Sequence, residues 1–206
     1  MIRRFTGEKS EGEAMNLSFS EKEIKDIVYS TLAIGFIFAY GSGFSISLFL
    51  IMSLIVALSF IPHELAHKFV AVKYGCFAQY QMWKSGLILA LFMTVFLGIV
   101  FIAPGAVVIY PVVHSGAGIR QISLTARQNA LISAAGPLMN ILIALLFLPL
   151  AGQNEFFSMI VWINSFLALF NLLPFPPLDG SKIIWYNFLM WGAMIGVSGY
   201  LCFFLI

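Results

Sequence analysis

The sequence predicts an all-α polytopic membrane protein with about five full spans and a re-entrant helix/strand segment over residues 87–113. Three observations predict it. The 206 residues are 61% hydrophobic, with a mean hydropathy of +0.97. Only 10% of them are charged, against about 25% in a soluble domain. All eleven lysines and arginines fall in four places (residues 1–26, 68–84, 120–127 and Lys182), separated by long apolar runs. Residues 1–26 read as a polar N-terminal segment without the apolar core of a signal peptide, and 27–206 as a single membrane-embedded domain. Cys76 and Cys202 lie far apart in or beside apolar stretches, which argues against a disulfide framework and against a cysteine zinc site.

The elements follow in order. Ser20 with Glu23 reads as a capping box that opens a first helix, in the membrane from near Ile27 to near Tyr40. Gly41-Ser42-Gly43 is a tight turn. A second span runs from Phe44 to about Lys73, with a bend expected near Pro62 and a stop at Gly75. Residues 76–83 mix polar and aromatic side chains and read as extended. Leu87 to Ile102 is apolar, and Pro104-Gly105 breaks it. Val107 to Val113 is β-branched and strand-like, and His114 to Gly118 reads as a loop. Further spans cover about Ser123–Leu150, Phe156–Leu173 and Ile183–Ile206.

Lysine and arginine placement sets the topology. If the four basic regions are all cytoplasmic, spans one and two form a hairpin, and so do 123–150 and 156–173. Residues 87–113 must then leave and return on one side. About 15 helical residues rise roughly 22 Å, and about eight extended residues descend a similar distance. Such backbone has to be buried in protein or line a cavity. The alternative, six spans, makes 87–110 an ordinary crossing. The expected location is a cell membrane, with the N-terminus and the functional site toward the cytoplasm.

Residues 63–67 read His-Glu-Leu-Ala-His at the end of the second apolar run. A helix places His63 and His67 one turn apart on one face, spaced to hold zinc, with Glu64 beside them as a base. Such groups are costly in hydrocarbon, which marks them as functional. A catalytic zinc takes three protein ligands and leaves a position for water. Beyond Glu64 the acidic residues are Glu155 and Asp179, and the remaining histidine is His114. Glu155 falls at the far side under the five-span topology. His114 remains a candidate. Asp179 follows a proline-rich break on the near side and is the preferred third ligand.

Three motifs occur in order: His63-Glu64-Leu65-Ala66-His67, then Gly136-Pro137-Leu138-Met139-Asn140, then Asn171-Leu172-Leu173-Pro174-Phe175-Pro176-Pro177-Leu178-Asp179-Gly180. Together the set resembles the site-2 proteases, zinc-dependent intramembrane proteases. The resemblance implies one zinc per chain on His63, His67 and Asp179, with Glu64 activating the zinc-bound water. It implies that Asn171 positions substrate or stabilises the transition state, and that the substrates are transmembrane segments of other membrane proteins. Gly136-Pro137 reads either as a kink that lets helices pack closely or as a substrate-lining element, and Asn140 likewise. Val107 and Val108 belong to a strand whose edge could pair with an unwound substrate. The bilayer is the other expected partner, and no nucleic-acid partner is expected. The competing function class is a membrane metal carrier or helix-binding scaffold, which needs ligands but no base.

Overall fold

The computed structural model describes residues 17–100, 102, 104–110, 112–115, 118–121 and 123–204. Most of the expected polar tail, residues 101 and 103 of the expected re-entrant segment, and the last two residues of the final span lie outside the described residues. Among the described residues seven helices and four strands form. Three helices are long and apolar enough to cross a membrane: α1 (Glu21–Gly41), α2 (Ile46–Lys73) and α4 (Ala126–Ala151). α3 (Lys84–Leu97), α5 (Glu155–Asn171) and α7 (Phe188–Phe204) are apolar but shorter, and α6 (Gly180–Tyr186) is a two-turn piece. The outer surface is apolar: Leu146 is 71% exposed and Leu189 81%, a surface suited to lipid contact.

Capping residues set the helix starts. Ser20 accepts from the Glu23 N–H at 3.1 Å, Ser45 caps α2, and Asn154 caps α5. Thr125 and Gln128 form a complete capping box at α4. At α1 the expected box is half made. The Glu23 side chain turns inward, and Lys68 Nζ donates to both its oxygens at 2.7 Å. α2 runs through Pro62 as a single helix. It packs against α1, α4 and α5. Ile34 and Phe38 from α1, Ile55 and Phe60 from α2, and Ile160 and Ile163 from α5 share one core with Tyr80.

The segment after α2 doubles back. Strand β1 (Phe77–Met82) pairs antiparallel with β2 (Gly105–Tyr110), with Phe77 opposite Tyr110 and Met82 opposite Gly105. Chain that leaves at Met82 through α3 therefore returns beside its own starting point. An ordinary crossing would instead carry residue 110 to the far end from residue 77.

Two sequence expectations are corrected. In the expected loop at 114–118, the described residues His114, Ser115 and Gly118 are in strands: β3 (Val112–Ser115) pairs with β4 (Gly118–Gln121), with His114 opposite Ile119, and the β-branched Val112, Val113 and Ile119 favour that pairing. The last span is broken at Asn187, whose extended backbone (φ −151°, ψ 97°) ends α6. Its Oδ1 then accepts from the Met190 N–H at 3.0 Å and starts α7. An asparagine offers this local alternative to a continuous helix.

Candidate metal centre

α2 delivers three side chains to one buried place. His63, Glu64 and His67 are each at most 6% exposed. Asp179 stands at the first end of α6 and reaches the same place from the other side. Its Oδ2 lies 3.7 Å from His63 Nε2 and 3.1 Å from His67 Nε2, while the two Nε2 atoms are 3.1 Å apart. One ligand atom from each of the three residues lies within 4.8 Å of the others. Glycine makes the approach of Asp179 possible. A Cβ on Gly180 would collide with the backbone of Leu172 and Leu173, so only glycine lets the start of α6 seat against the end of α5.

The imidazoles are oriented from behind. His67 Nδ1 donates to the Ile132 carbonyl at 2.7 Å, and His63 Nδ1 faces Asn140 Oδ1 at 2.5 Å. A hydrogen on each Nδ1 leaves the Nε2 lone pairs of the neutral rings directed at each other and at a carboxylate. Three converging electron-pair donors call for a cation. Gly136 faces them from α4: a Cβ there would overlap Nε2 of both histidines. Glu64 lies beside this cluster with Oε2 buried and without a hydrogen-bond partner among the described residues. The donor set of two imidazoles and one carboxylate therefore fits a zinc ion, with the buried, unpartnered Oε2 of Glu64 next to it.

The cluster opens into a cavity of about 490 Å³. Val107, Val108, Asn171, Ile132, Gln81 and Lys182 are among its lining residues. Pro137 is buried in α4 next to Gly136, and Asn140 is fully buried behind His63 rather than in the cavity wall. Asn171 ends α5, its amide donating to Leu167 O at 2.9 Å. Glu155 opens the same 17-residue helix, about 24 Å from that end. His114 is placed in β3. Lys68, one residue beyond His67, is buried at 2% exposure. It is paired with Glu23 and donates to the Ser18 carbonyl at 2.7 Å. Burial raises the pKa of the Cys76 thiol, which leaves it a poor ligand.

One edge of the β1–β2 pair is closed and the other open. Tyr80 N–H donates to Glu23 Oε1 at 3.0 Å and Met82 N–H to Asp26 Oδ2 at 3.3 Å, so these groups point away from β2. Alternation then makes Tyr80–Val107 and Met82–Gly105 the pairs without mutual hydrogen bonds. The N–H and C=O of Val107 consequently face away from β1, and the N–H meets the Glu64 carboxylate. The closing carboxylates Glu23 and Asp26, like Asn164 and Ser59 behind His63, escape a motif reading. Asn164 carries a signal, an asparagine inside an apolar helix, and Ser59 another, one turn before His63 on the same face.

A helical, apolar-surfaced protein with a buried two-histidine, one-carboxylate cluster and an adjacent glutamate defines a membrane metalloprotease. The family model described as Peptidase family M50 matches residues 149–196. The chain is 41% identical over 194 residues to a Methanocaldococcus jannaschii protein named "Putative zinc metalloprotease MJ0611", covering 90% of this chain and 95% of that one. It is 34% identical over 152 residues to a Bacillus subtilis protein named "Putative zinc metalloprotease YwhC", covering 66% and 67%. No solved structure matches the chain significantly. The chain belongs to peptidase family M50, the site-2 protease family of zinc metalloproteases.

Proposed function

We propose that this chain is an intramembrane endopeptidase that cleaves transmembrane segments of other membrane proteins. The observation that carries the reading is one cavity shared by the buried His63, His67 and Glu64, by Asp179 and by the open edge of β2. One zinc per chain would be held by His63, His67 and Asp179, and would supply Lewis acidity toward the scissile carbonyl and its attacking water. Glu64 takes the proton from the attacking water and passes it to the leaving amine. Asn171 donates an amide hydrogen to the developing oxyanion, a contact commonly worth about 3 kcal/mol. A substrate helix has to unwind before its peptide bond is reachable. The N–H and C=O groups of Gly105 and Ile109 and the C=O of Val107, which point away from β1, offer that extended chain a strand to pair with.

In the bilayer, α1, α2, α4, α5 and the α6–α7 pair make five crossings, and α3 with β2 re-enters from one side. The basic residues put the N-terminus, the metal centre and the β1–β2 pair toward the cytoplasm of a multi-pass cell-membrane protein. Gln81 and Lys182 are among the polar residues of the cavity wall, along which water reaches the site.

The test is incubation of purified protein with single-span substrates, with and without a zinc chelator. Wild type cleaves within the membrane segment and the chelator stops it. Glu64→Gln retains zinc and loses cleavage by about 10²–10⁴-fold. Absence of chelator-sensitive cleavage across a panel of segments counts against the protease, and transport that survives Glu64→Gln favours a metal carrier.

A further inference from the structure

Behind His63 lies a fully buried polar chain that continues past the motif residue Asn140 to two residues outside the three motifs. Asn140, Asn164 and Ser59 are each 0% exposed and come from α4, α5 and α2. Every hydrogen in the chain has one destination. Asn164 Nδ2 donates to the Ile160 carbonyl and to Ser59 Oγ, both at 2.8 Å. Ser59 Oγ donates to the Ile55 carbonyl at 2.8 Å. Asn164 Oδ1 is thereby turned toward Asn140, whose Nδ2 donates to it at 2.8 Å and to the Ser59 carbonyl at 2.9 Å. With both amide hydrogens used, Asn140 can present only its oxygen to His63 Nδ1, 2.5 Å away.

The direction of the chain is fixed by backbone. Main-chain carbonyls only accept, so the Ile160, Ile55 and Ser59 carbonyls forbid flipping either amide. His63 Nδ1 must then carry the hydrogen, and its Nε2 lone pair is left facing Asp179 and His67. His67 reaches the same state directly through the Ile132 carbonyl. Among the described residues His63 Nδ1 is partnered by a side-chain amide, that of Asn140, which could point either way in isolation.

We infer that Asn140, Asn164 and Ser59 are positioning residues that hold His63 as the tautomer whose Nε2 lone pair faces the metal centre. The inference rests on the reading of His63, His67 and Asp179 as the zinc ligands. Groups that orient a ligating histidine typically change metal affinity 10–100-fold when removed. Asn164 touches neither the ligands nor the cavity, so a change in metal affinity on its removal reports orientation and not contact.

The experiment uses the full chain in detergent micelles and measures zinc affinity by competition with a chromogenic chelator, and the absorption spectrum of the cobalt-substituted protein. Asn140→Leu keeps the volume and removes the acceptor: zinc binding weakens 10–100-fold and the cobalt ligand-field bands shift. Asn164→Ala weakens zinc in the same direction, and carries the test alone should Asn140→Leu fail to fold. Asn140→Asp keeps an oxygen opposite Nδ1 and holds affinity closer to wild type than Asn140→Leu does. Unchanged zinc affinity and an unchanged cobalt spectrum in folded Asn140→Leu or Asn164→Ala overturn the inference. Wild type that binds no zinc, or His63→Ala that binds it as well as wild type, overturns the ligand assignment instead.

Discussion

Gly136 lies against His67 so closely that a Cβ at its position would overlap the imidazole Nε2. The glycine is thus a condition of the metal centre and not only of a helix kink. α4 can carry Ile132 and Asn140 to the backs of the two histidines because nothing projects between them at residue 136. Gly136→Ala has to push both rings off position. Overpacking of this kind costs about 1–3 kcal/mol, and zinc affinity drops by about 10-fold or more. Gly196→Ala in α7 meets open space and serves as the control. Zinc content and thermal unfolding of the two variants, measured side by side, decide it; equal zinc retention refutes the prediction.

The open edge of β2 gives a prediction that separates two neighbouring residues. Val107→Pro removes an N–H that faces Glu64 and the cavity, and leaves the ladder to β1 intact. Val108 sits opposite Gln79 in a hydrogen-bonded pair, so Val108→Pro removes a ladder bond and destabilises the hairpin. Substrate cleavage is lost in Val107→Pro with zinc and unfolding temperature retained, whereas Val108→Pro lowers the unfolding temperature. Full cleavage by Val107→Pro removes the case for strand pairing.

Lys68 and Glu23 form a buried ion pair at 2.7 Å that ties α1 to α2 one residue beyond His67. Removing one partner of such a pair leaves an uncompensated charge and costs about 3–5 kcal/mol. Glu23→Gln is therefore strongly destabilising, and it also weakens the acceptor for Tyr80 N–H at the closed edge of β1. Glu21→Gln breaks the exposed Lys25 pair and changes stability by at most about 1 kcal/mol. Denaturation midpoints in detergent compare the two, and similar midpoints contradict the prediction.

Metal removal should be visible without any substrate. A ligand bound only to the folded state at about 1,000 times its Kd contributes about 4 kcal/mol of stability. Dialysis against a chelator lowers the unfolding temperature, and restoring zinc raises it again. In Asp179→Ala the same treatment produces a much smaller shift. A chelator-insensitive wild type is incompatible with a metal held at this cluster.

The helices around the site are readable because apolar runs and capping residues are local signals. Ser20, Thr125 and Asn154 mark three helix starts, and His63 and His67 share a face through spacing alone. The break at Asn187 and the β3–β4 pair are less legible. A single asparagine in an apolar run, and four-residue strands, lie near the limit where local preference decides nothing. Asp179 could be selected as the third ligand by elimination, yet its distance from His67 is a tertiary fact. It depends on Gly180 seating against Leu172.

The sequence by itself determined a helical membrane protein, the paired histidines with Glu64, and the family through its three motifs. Composition and short spacings are properties of the chain, and need no knowledge of what packs on what. Only the tertiary structure decided that residues 77 and 110 meet, that β1 is sealed by Glu23 and Asp26, and that Lys68 faces inward. It alone shows that Asn140, Asn164 and Ser59 stand behind His63. Those relations join side chains from different helices. In an apolar core a polar group has to find its partner across space, and the sequence position of that partner carries no record of the meeting.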